Sequence, residues 1–303
     1  MVVYLNDRFV PASQAKIDIY DLGIVLGATL TEMTRTFRHS LFKEEDHVAR
    51  LYRSLKFAGI SIPLTPPEML GRTRELAEMN CRLLGENGDL GVIHFITPGA
   101  NRMYAGSAAA SGPLQPTICI HSFPLPFKAW RHLFVEGAHV VTPSIRHIPP
   151  QCLEPKMKNR SRLHWFLADN QTHAVDPQAI TLLLDLEGNV TECAGSNFVI
   201  VNGHAIISPT RRNILWGVTL QTVKELAPTL GLEFIERDFQ LYDVANADEA
   251  WLTTTPYCVA PCTKINGAPI GSGKPGPVFR KIIDAWSQLA GVNIERQILN
   301  SPC

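Results

Sequence analysis

The first residues alternate apolar and polar side chains, "VVYLNDRFVP", around an Asn6-Asp7 turn. A period of two with a turn signal predicts a β-hairpin. Residues 28–38, "ATLTEMTRTFR", predict a further strand. In "LFKEEDHVARLYRSLKFAGI" the period changes: Leu51, Leu55 and Ala58 fall on one helical face, and Gly59 supplies a stop. "TPPEMLGRTRELAEMNCRLLGENG" predicts a second amphipathic helix, with proline in its first turn and glycine closing it. "GVIHFITPG" and "QPTICIHSFP" predict buried strands.

"HSFPLPFKAW" then interrupts the pattern with two prolines and predicts a linker. A strand follows in "GAHVVTPSI", then a proline-rich loop, "RHIPPQCLEP", and a helix from "SRLHWFLADNQTHAV". "AITLLLDLEGNVTECAGSNFVIVNGHAIISP" predicts three strands separated by two turns. Next come a helix in "WGVTLQTVKELAPTLGL", a strand in "EFIERDFQ", a strand with a turn in "DEAWLTTTPYCVAPCTKING" and a terminal helix in "PVFRKIIDAWSQLAG". This order predicts two mixed domains, residues 1–120 and 131–303, joined by a linker at 121–130. The active site is expected in the crevice between them.

Composition narrows the class. With 303 residues, 45% hydrophobic and 18% charged, the chain can bury a sizeable core, so disorder is excluded. The 28 basic residues balance the 28 acidic ones. Neutrality argues against a nucleic-acid or anionic-membrane surface as the main function. The seven cysteines, at 81, 119, 152, 193, 258, 262 and 303, show no CxxC spacing. They predict neither a disulfide framework nor a metal site, and a reducing, cytoplasmic compartment. The N-terminal stretch lacks the pattern of a signal peptide, and no apolar run is long enough to span a bilayer.

Four features carry candidate chemistry. "EPKMKNRSRLHW" sets Lys156 and Lys158 two residues apart ahead of a helix. Glu192 leads a loop of small residues in "EGNVTECAGSNFVIV", "WGVT" opens a helix, and "TTTP" ends a strand. Taken singly, each has an ordinary reading: a solvated lysine, a polar turn, a helix cap, β-branched strand residues. Together they supply the parts for pyridoxal 5'-phosphate. That cofactor needs a lysine amine, an acid facing its pyridine nitrogen, and a phosphate cradle of helix N-terminal amides, hydroxyls and an arginine. On residues alone, either lysine could serve.

The ordered series "YLNDRFVP", "IYDLGIVLGATLTEM", "HVARLYRSL", "KNRSRLHWFLA", "GNVTECAGSNFVIV", "ILWGVTLQTVKELA" and "ADEAWLTTTPYCVAPCTKING" covers nearly the whole chain. It resembles the class IV (fold type IV) pyridoxal-phosphate aminotransferases, which include branched-chain and D-amino-acid aminotransferases and aminodeoxychorismate lyase. The resemblance implies an α/β (α+β) fold, with a smaller N-terminal α/β domain and a larger C-terminal mixed β domain with helices. It also implies a homodimer that takes small-molecule amino acids and 2-oxo acids. Counting from Lys158 places Leu163, Leu167 and Ala168 on the family's pattern, with Ser161 where asparagine is common. Counting from Lys156 recovers Asn159 but misplaces the leucines. Lys158 is therefore assigned the Schiff base, and the proton transfer between substrate Cα and C4′. By the same resemblance Glu192 faces the pyridine nitrogen and Arg50 binds phosphate. Gly217, Val218 and Thr219 form the helix-start cradle, Thr254 and Thr255 add hydroxyls, and Asn197 supports the loop after the glutamate.

Substrate choice is less defined. The resemblance implies an apolar or branched-chain amino acid. 4-Amino-4-deoxychorismate lyase is the alternative, favoured by Arg162 at the fourth position after Lys158, and a D-amino-acid or (R)-amine transaminase is another. Thr31, His94, Arg102 and Arg162 are the candidate substrate residues. Pro98 stands where D-amino-acid enzymes carry an arginine.

Overall fold

The opening alternation closes as a hairpin, β1 (Val2–Leu5) on β2 (Arg8–Pro11), with Asn6 at φ 59° in the turn. Asparagine tolerates that left-handed conformation. The structure is a computed structural model that describes residues 1–85, 88–104 and 115–300. It divides into two units: Met1–Leu125 with Met157–Arg162, and Pro126–Lys156 with Leu163–Cys303.

In the first unit, α1 (Leu22–Val25) is capped by buried Asp21, which accepts from the Gly23 amide. Then follow β3 (Leu30–Phe37), β4 (Ser40–Phe42), α2 (Glu44–Ala58), α3 (Pro66–Cys81), β5 (Leu90–Thr97) and β6 (Thr117–Pro124). The six strands form one sheet, β2-β1-β6-β5-β3-β4, antiparallel throughout. Helix α2 ends at Gly59 in the left-handed conformation, where a side chain would be strained. Val48, Leu51 and Leu55 of α2 and Met69, Leu76 and Ala77 of α3 share a core with Leu30, Val92, Ile96 and Ile120. Each such side chain contributes roughly 1.5–3 kcal/mol on burial. Ala58, expected on the buried face, is exposed, because the helix ends there. Helix α3 begins in a capping box between Thr65 and Glu68 but stops at Arg82, without the expected glycine cap.

The second unit holds α4 (Arg131–Val135), β7 (Ala138–Val141), α5 (Leu163–Val175), β8 (Ile180–Leu184), β9 (Val190–Cys193), β10 (Ser196–Asn202), β11 (Ala205–Ser208) and α6 (Val218–Leu226). It continues with β12 (Glu233–Glu236), α7 (Leu241–Ala245), β13 (Glu249–Thr254), β14 (Cys258–Ile265), β15 (Ala268–Pro269), α8 (Pro277–Ala290) and α9 (Ile294–Leu299). The path β10-β13-β14-β7-β8-β9 returns to β10 through a β9–β10 pairing. That closure leaves these six strands no open edge. Glu249 of β13 caps α8 from outside: Oε1 accepts from the Val278 amide, and Oε2 from the Phe279 amide and the Trp251 indole.

Several expectations are corrected. The stretch expected to hold three strands holds four, β8 to β11, because two-residue turns at 194–195 and 203–204 split what the apolar run hides. The unit boundary, Leu125/Pro126, lies inside the region 121–130 expected as a linker, and that region is ordered: β6 runs to Pro124, and Phe127 is buried in a 3-10 turn. Helix α5 starts at Leu163, two residues later than expected, and α9 follows the helix expected to be last. Among the described residues no helix is long and apolar enough to cross a membrane, and no acid–His–Cys group is placed to hold a metal ion. Six cysteines are free thiols, and Cys303 lies outside the described residues.

Candidate active site

Lys158 is fixed through its backbone. Strand β4 covers only the Arg35–Phe37 half of β3, and residues 157–162 lie along the other half. The Lys158 carbonyl accepts from the Thr31 amide, the Arg160 amide donates to the Thr29 carbonyl, and Asn159 pairs with Leu30 between them. Met157 packs on the first unit's core, and the Ser161 hydroxyl donates to the Gly27 carbonyl. A short antiparallel strand is thus added to β3, with the lysine in it.

Next along β3 is Glu32, fully buried. Arg50 of α2 donates to it through Nε (2.7 Å) and Nη2 (2.6 Å), and His47 Nδ1 lies 3.0 Å from Oε1. Burial pushes the Glu32 carboxyl up, but the Arg50 and His47 interactions outweigh it and hold it well below the usual range. Burial lowers His47; Glu32 opposes that shift, and Arg50 and Lys158 add to it. Lys158 therefore belongs to the electrostatic neighbourhood of Glu32, His47 and Arg50. A two-pronged pairing of this kind fixes the plane of a guanidinium.

The candidate substrate residues of this unit fare differently. His94 is fully buried, its Nε2 2.7 Å from the Thr73 hydroxyl and its Nδ1 without a partner among the described residues. Burial takes its pKa down to about 4, so the ring is neutral, and it is a core histidine rather than a substrate contact. Thr31 is buried and donates its hydroxyl to the His94 carbonyl, so its side chain serves the sheet. Arg102 is exposed in the turn at 101–104. Arg162 stands before α5, outside the helical turn expected for it. Lys156 belongs to the second unit, where its exposed amine lies 3.3 Å from Glu154.

In the second unit, Glu192 on β9 and Asn197 on β10 are direct cross-strand partners around a two-residue turn. Asn197 Nδ2 donates to Glu192 Oε2 (3.1 Å) and to the Leu215 carbonyl (2.7 Å). The Leu215 amide donates back to Glu192 Oε2 at 3.1 Å. His147 Nε2 lies 3.5 Å from Glu192 Oε1. Thr253 is the register partner of Asn197 on β13, and its buried hydroxyl has no partner among the described residues. The neighbouring Thr254 hydroxyl donates to the Gly195 carbonyl, and half-buried Thr255 opens the turn to β14. Gly217 precedes α6 with no side chain capping the helix, so the amides of Val218 and Thr219 head it uncapped. Glu192, Asn197, Leu215 and Gly217 are brought together in one compact set.

Gly217 has an ordinary φ of −65°, but a Cβ there would sit 2.4 Å from Asn197 Oδ1. Gly217→Ala should displace Asn197 and loosen its hold on Glu192. We expect a loss of about 1–3 kcal/mol in stability together with weaker cofactor retention, read by thermal unfolding and cofactor titration. An unchanged Tm and affinity would show that the loop yields freely.

The family profile described as amino-transferase class IV matches residues 29–265, from the start of the Lys158-binding strand to the end of β14. The chain is a class IV aminotransferase. This aminotransferase is 29% identical over 290 residues to a putative branched-chain-amino-acid aminotransferase of Methanocaldococcus jannaschii, covering 95% of the chain and 96% of the relative. It is 29% identical over 286 residues to a D-alanine aminotransferase of Bacillus licheniformis, covering 93% and 94%. Its fold also matches a branched-chain aminotransferase of the thermophilic archaeon Thermoproteus uzoniensis, solved with norvaline. That superposition has a TM-score of 0.81 at 25% identity and covers 99% of this chain and 95% of that one. The expected α/β fold class therefore holds. Sequence reasoning gave no role to Glu32, His47, Leu215 or His147. A glutamate in the middle of the β-branched strand "TLTEMTRTF" is a signal for the first, since a buried carboxylate needs a cationic partner.

Proposed function

We propose that this transaminase moves the amino group of an amino acid with an apolar, branched side chain to a 2-oxo acid, using pyridoxal 5'-phosphate held by Lys158. The observation that carries the reading is the state of Glu192. Its Oε2 is satisfied by two protein donors, while Oε1 meets only His147 among the described residues, at ion-pair distance. A carboxylate offers about four lone-pair positions, so Oε1 retains room for one further N–H, as a pyridinium nitrogen would supply. The uncapped start of α6 and the Thr253 hydroxyl fit the phosphate end in kind: amides at a helix N-terminus and a hydroxyl still open to a partner.

When bound, the cofactor supplies an electron sink for the pair left as the substrate Cα–H bond breaks. Lys158 would carry the proton between Cα and C4′. Glu192 would accept a hydrogen bond from the ring nitrogen and balance its charge. In the first unit Arg50, its plane fixed by Glu32, is the phosphate-binding candidate, and in the second unit the amides of Val218 and Thr219 are.

The branched-chain preference draws on the Methanocaldococcus relative; the Bacillus one makes D-alanine the competing donor. The free thiols fit a reducing, cytoplasmic compartment. Exposed Ile24, Leu26 and Met103 fit a homodimer, which sedimentation would test. The deciding experiment reconstitutes the protein with cofactor and offers L-leucine, L-valine and D-alanine with 2-oxoglutarate. Turnover highest with the L-branched donors is expected. Preference for D-alanine would reverse the substrate assignment, and no visible absorbance band from bound cofactor would end the cofactor reading.

A further inference from the structure

Glu192 has a basic neighbour that no motif announces. His147 lies in the loop after β7 and is 9% exposed. Its amide donates to the Leu184 carbonyl at the end of β8. Its ring stands edge-on to His164 and Trp165, with centroids 6.2 and 5.9 Å away. Nδ1 is 3.0 Å from the Ile148 carbonyl oxygen, and Nε2 is 3.5 Å from Glu192 Oε1.

These two contacts constrain the ring's protons. A carbonyl oxygen only accepts, so Nδ1 must carry a proton. Nε2 then presents a lone pair when the ring is neutral and a proton when it is charged. A lone pair aimed at a carboxylate oxygen repels it, whereas an N–H attracts it. The arrangement is therefore complementary to an imidazolium facing a carboxylate. Among the described residues, Glu192 and His164 are the titratable groups against the ring. His164 makes an edge contact, while Glu192 faces the nitrogen itself.

We propose that His147 is a positioning residue for Glu192: its Nε2 holds Oε1 in place, so that the carboxylate faces the cofactor's ring nitrogen and the proton between them stays on nitrogen. The inference rests on the reading of Glu192 given above. Without that hold Oε1 turns away from the ring nitrogen, the nitrogen's charge is less well balanced, and the ring becomes a weaker electron sink.

The test uses the full-length holoenzyme reconstituted with cofactor carrying ¹⁵N at the ring nitrogen. His147→Phe removes the donor and the charge; His147→Gln restores a neutral donor only; Glu192→Gln is the reference. We expect the ring ¹⁵N resonance to move toward the unprotonated position in His147→Phe, and partly so in His147→Gln. kcat should fall about tenfold in His147→Phe, the equivalent of one pK unit, with KM within about twofold. If Glu192→Gln moves the resonance and neither His147 variant does, the inference is wrong and the Glu192 reading stands. If Glu192→Gln leaves it in place as well, both are overturned.

Discussion

Lys158→Ala should reduce transamination by at least about 10⁴-fold and abolish the visible absorbance band of the lysine-bound cofactor. Lys156→Ala should change both by less than about twofold. The two side chains differ in how they are held. Lys158 lies in a segment tied to β3 by two backbone hydrogen bonds, beside a buried charged cluster that registers its charge. Lys156 is 55% exposed and pairs with Glu154. Such surface pairs contribute roughly 0–1 kcal/mol. A group that forms a covalent bond and then moves a proton must be placed within a few tenths of an ångström, which only the first arrangement provides. Stopped-flow single-turnover kinetics with L-leucine would read the loss. Retention of the band in Lys158→Ala, with its disappearance in Lys156→Ala, would transfer the role to the exposed lysine.

Glu32→Leu should cost about 3–5 kcal/mol of stability, a larger effect than its hydrogen-bonded contacts would suggest in water. Arg50 is a buried residue, 7% exposed, and the change removes its buried counter-charge. The sign with pH follows from the depressed carboxyl. A group held below its ordinary value of 4.5 contributes stability that is present above that pH and is lost as pH falls through the folded value. Between pH 7 and 5 the gap between wild type and Glu32→Leu should widen, because His47 loses the partner that opposes its lowering and stays neutral where the unfolded chain's histidine takes a proton; the Glu32 contribution itself should fade only in stronger acid. Glu32→Gln, which keeps the shape but not the charge, should lie between them. Urea unfolding at pH 7, 5 and 3.5 would check this. A variant as stable as wild type at pH 7 would mean that Arg50 finds water or another anion at no cost.

What could be read ahead of the structure divides along a physical line. Local signals sufficed for the hairpin at Asn6-Asp7, for α2 with its Gly59 stop and for the prolines that open α3, because each depends on residues within one turn of one another. The choice of Lys158 over Lys156 rests on the resemblance to the family's pattern, onto which Leu163 and Leu167 fall, and not on a local signal. Contacts made by distant segments were not legible. Arg50 meets Glu32 eighteen residues away (50 − 32), and His94 lost its candidate role to burial, which periodicity on a strand with two covered faces does not reveal. His147 lies in an irregular proline-rich loop, where no repeat in the sequence says which way a side chain faces. At 121–130 the prolines mark a change of direction, and composition does not show that Phe127 beside them is buried.

The short stretch Met157–Arg162 belongs to the first unit although the residues on both sides of it belong to the second. During synthesis on the ribosome, the strand that carries Thr31 waits for its partner until some thirty further residues of the other unit have emerged (157 − 126 = 31). Vectorial, one-body-at-a-time maturation is therefore closed to this chain. A gene cut after Leu125 encodes a sheet with a bare stretch of edge, prone to pairing with strangers.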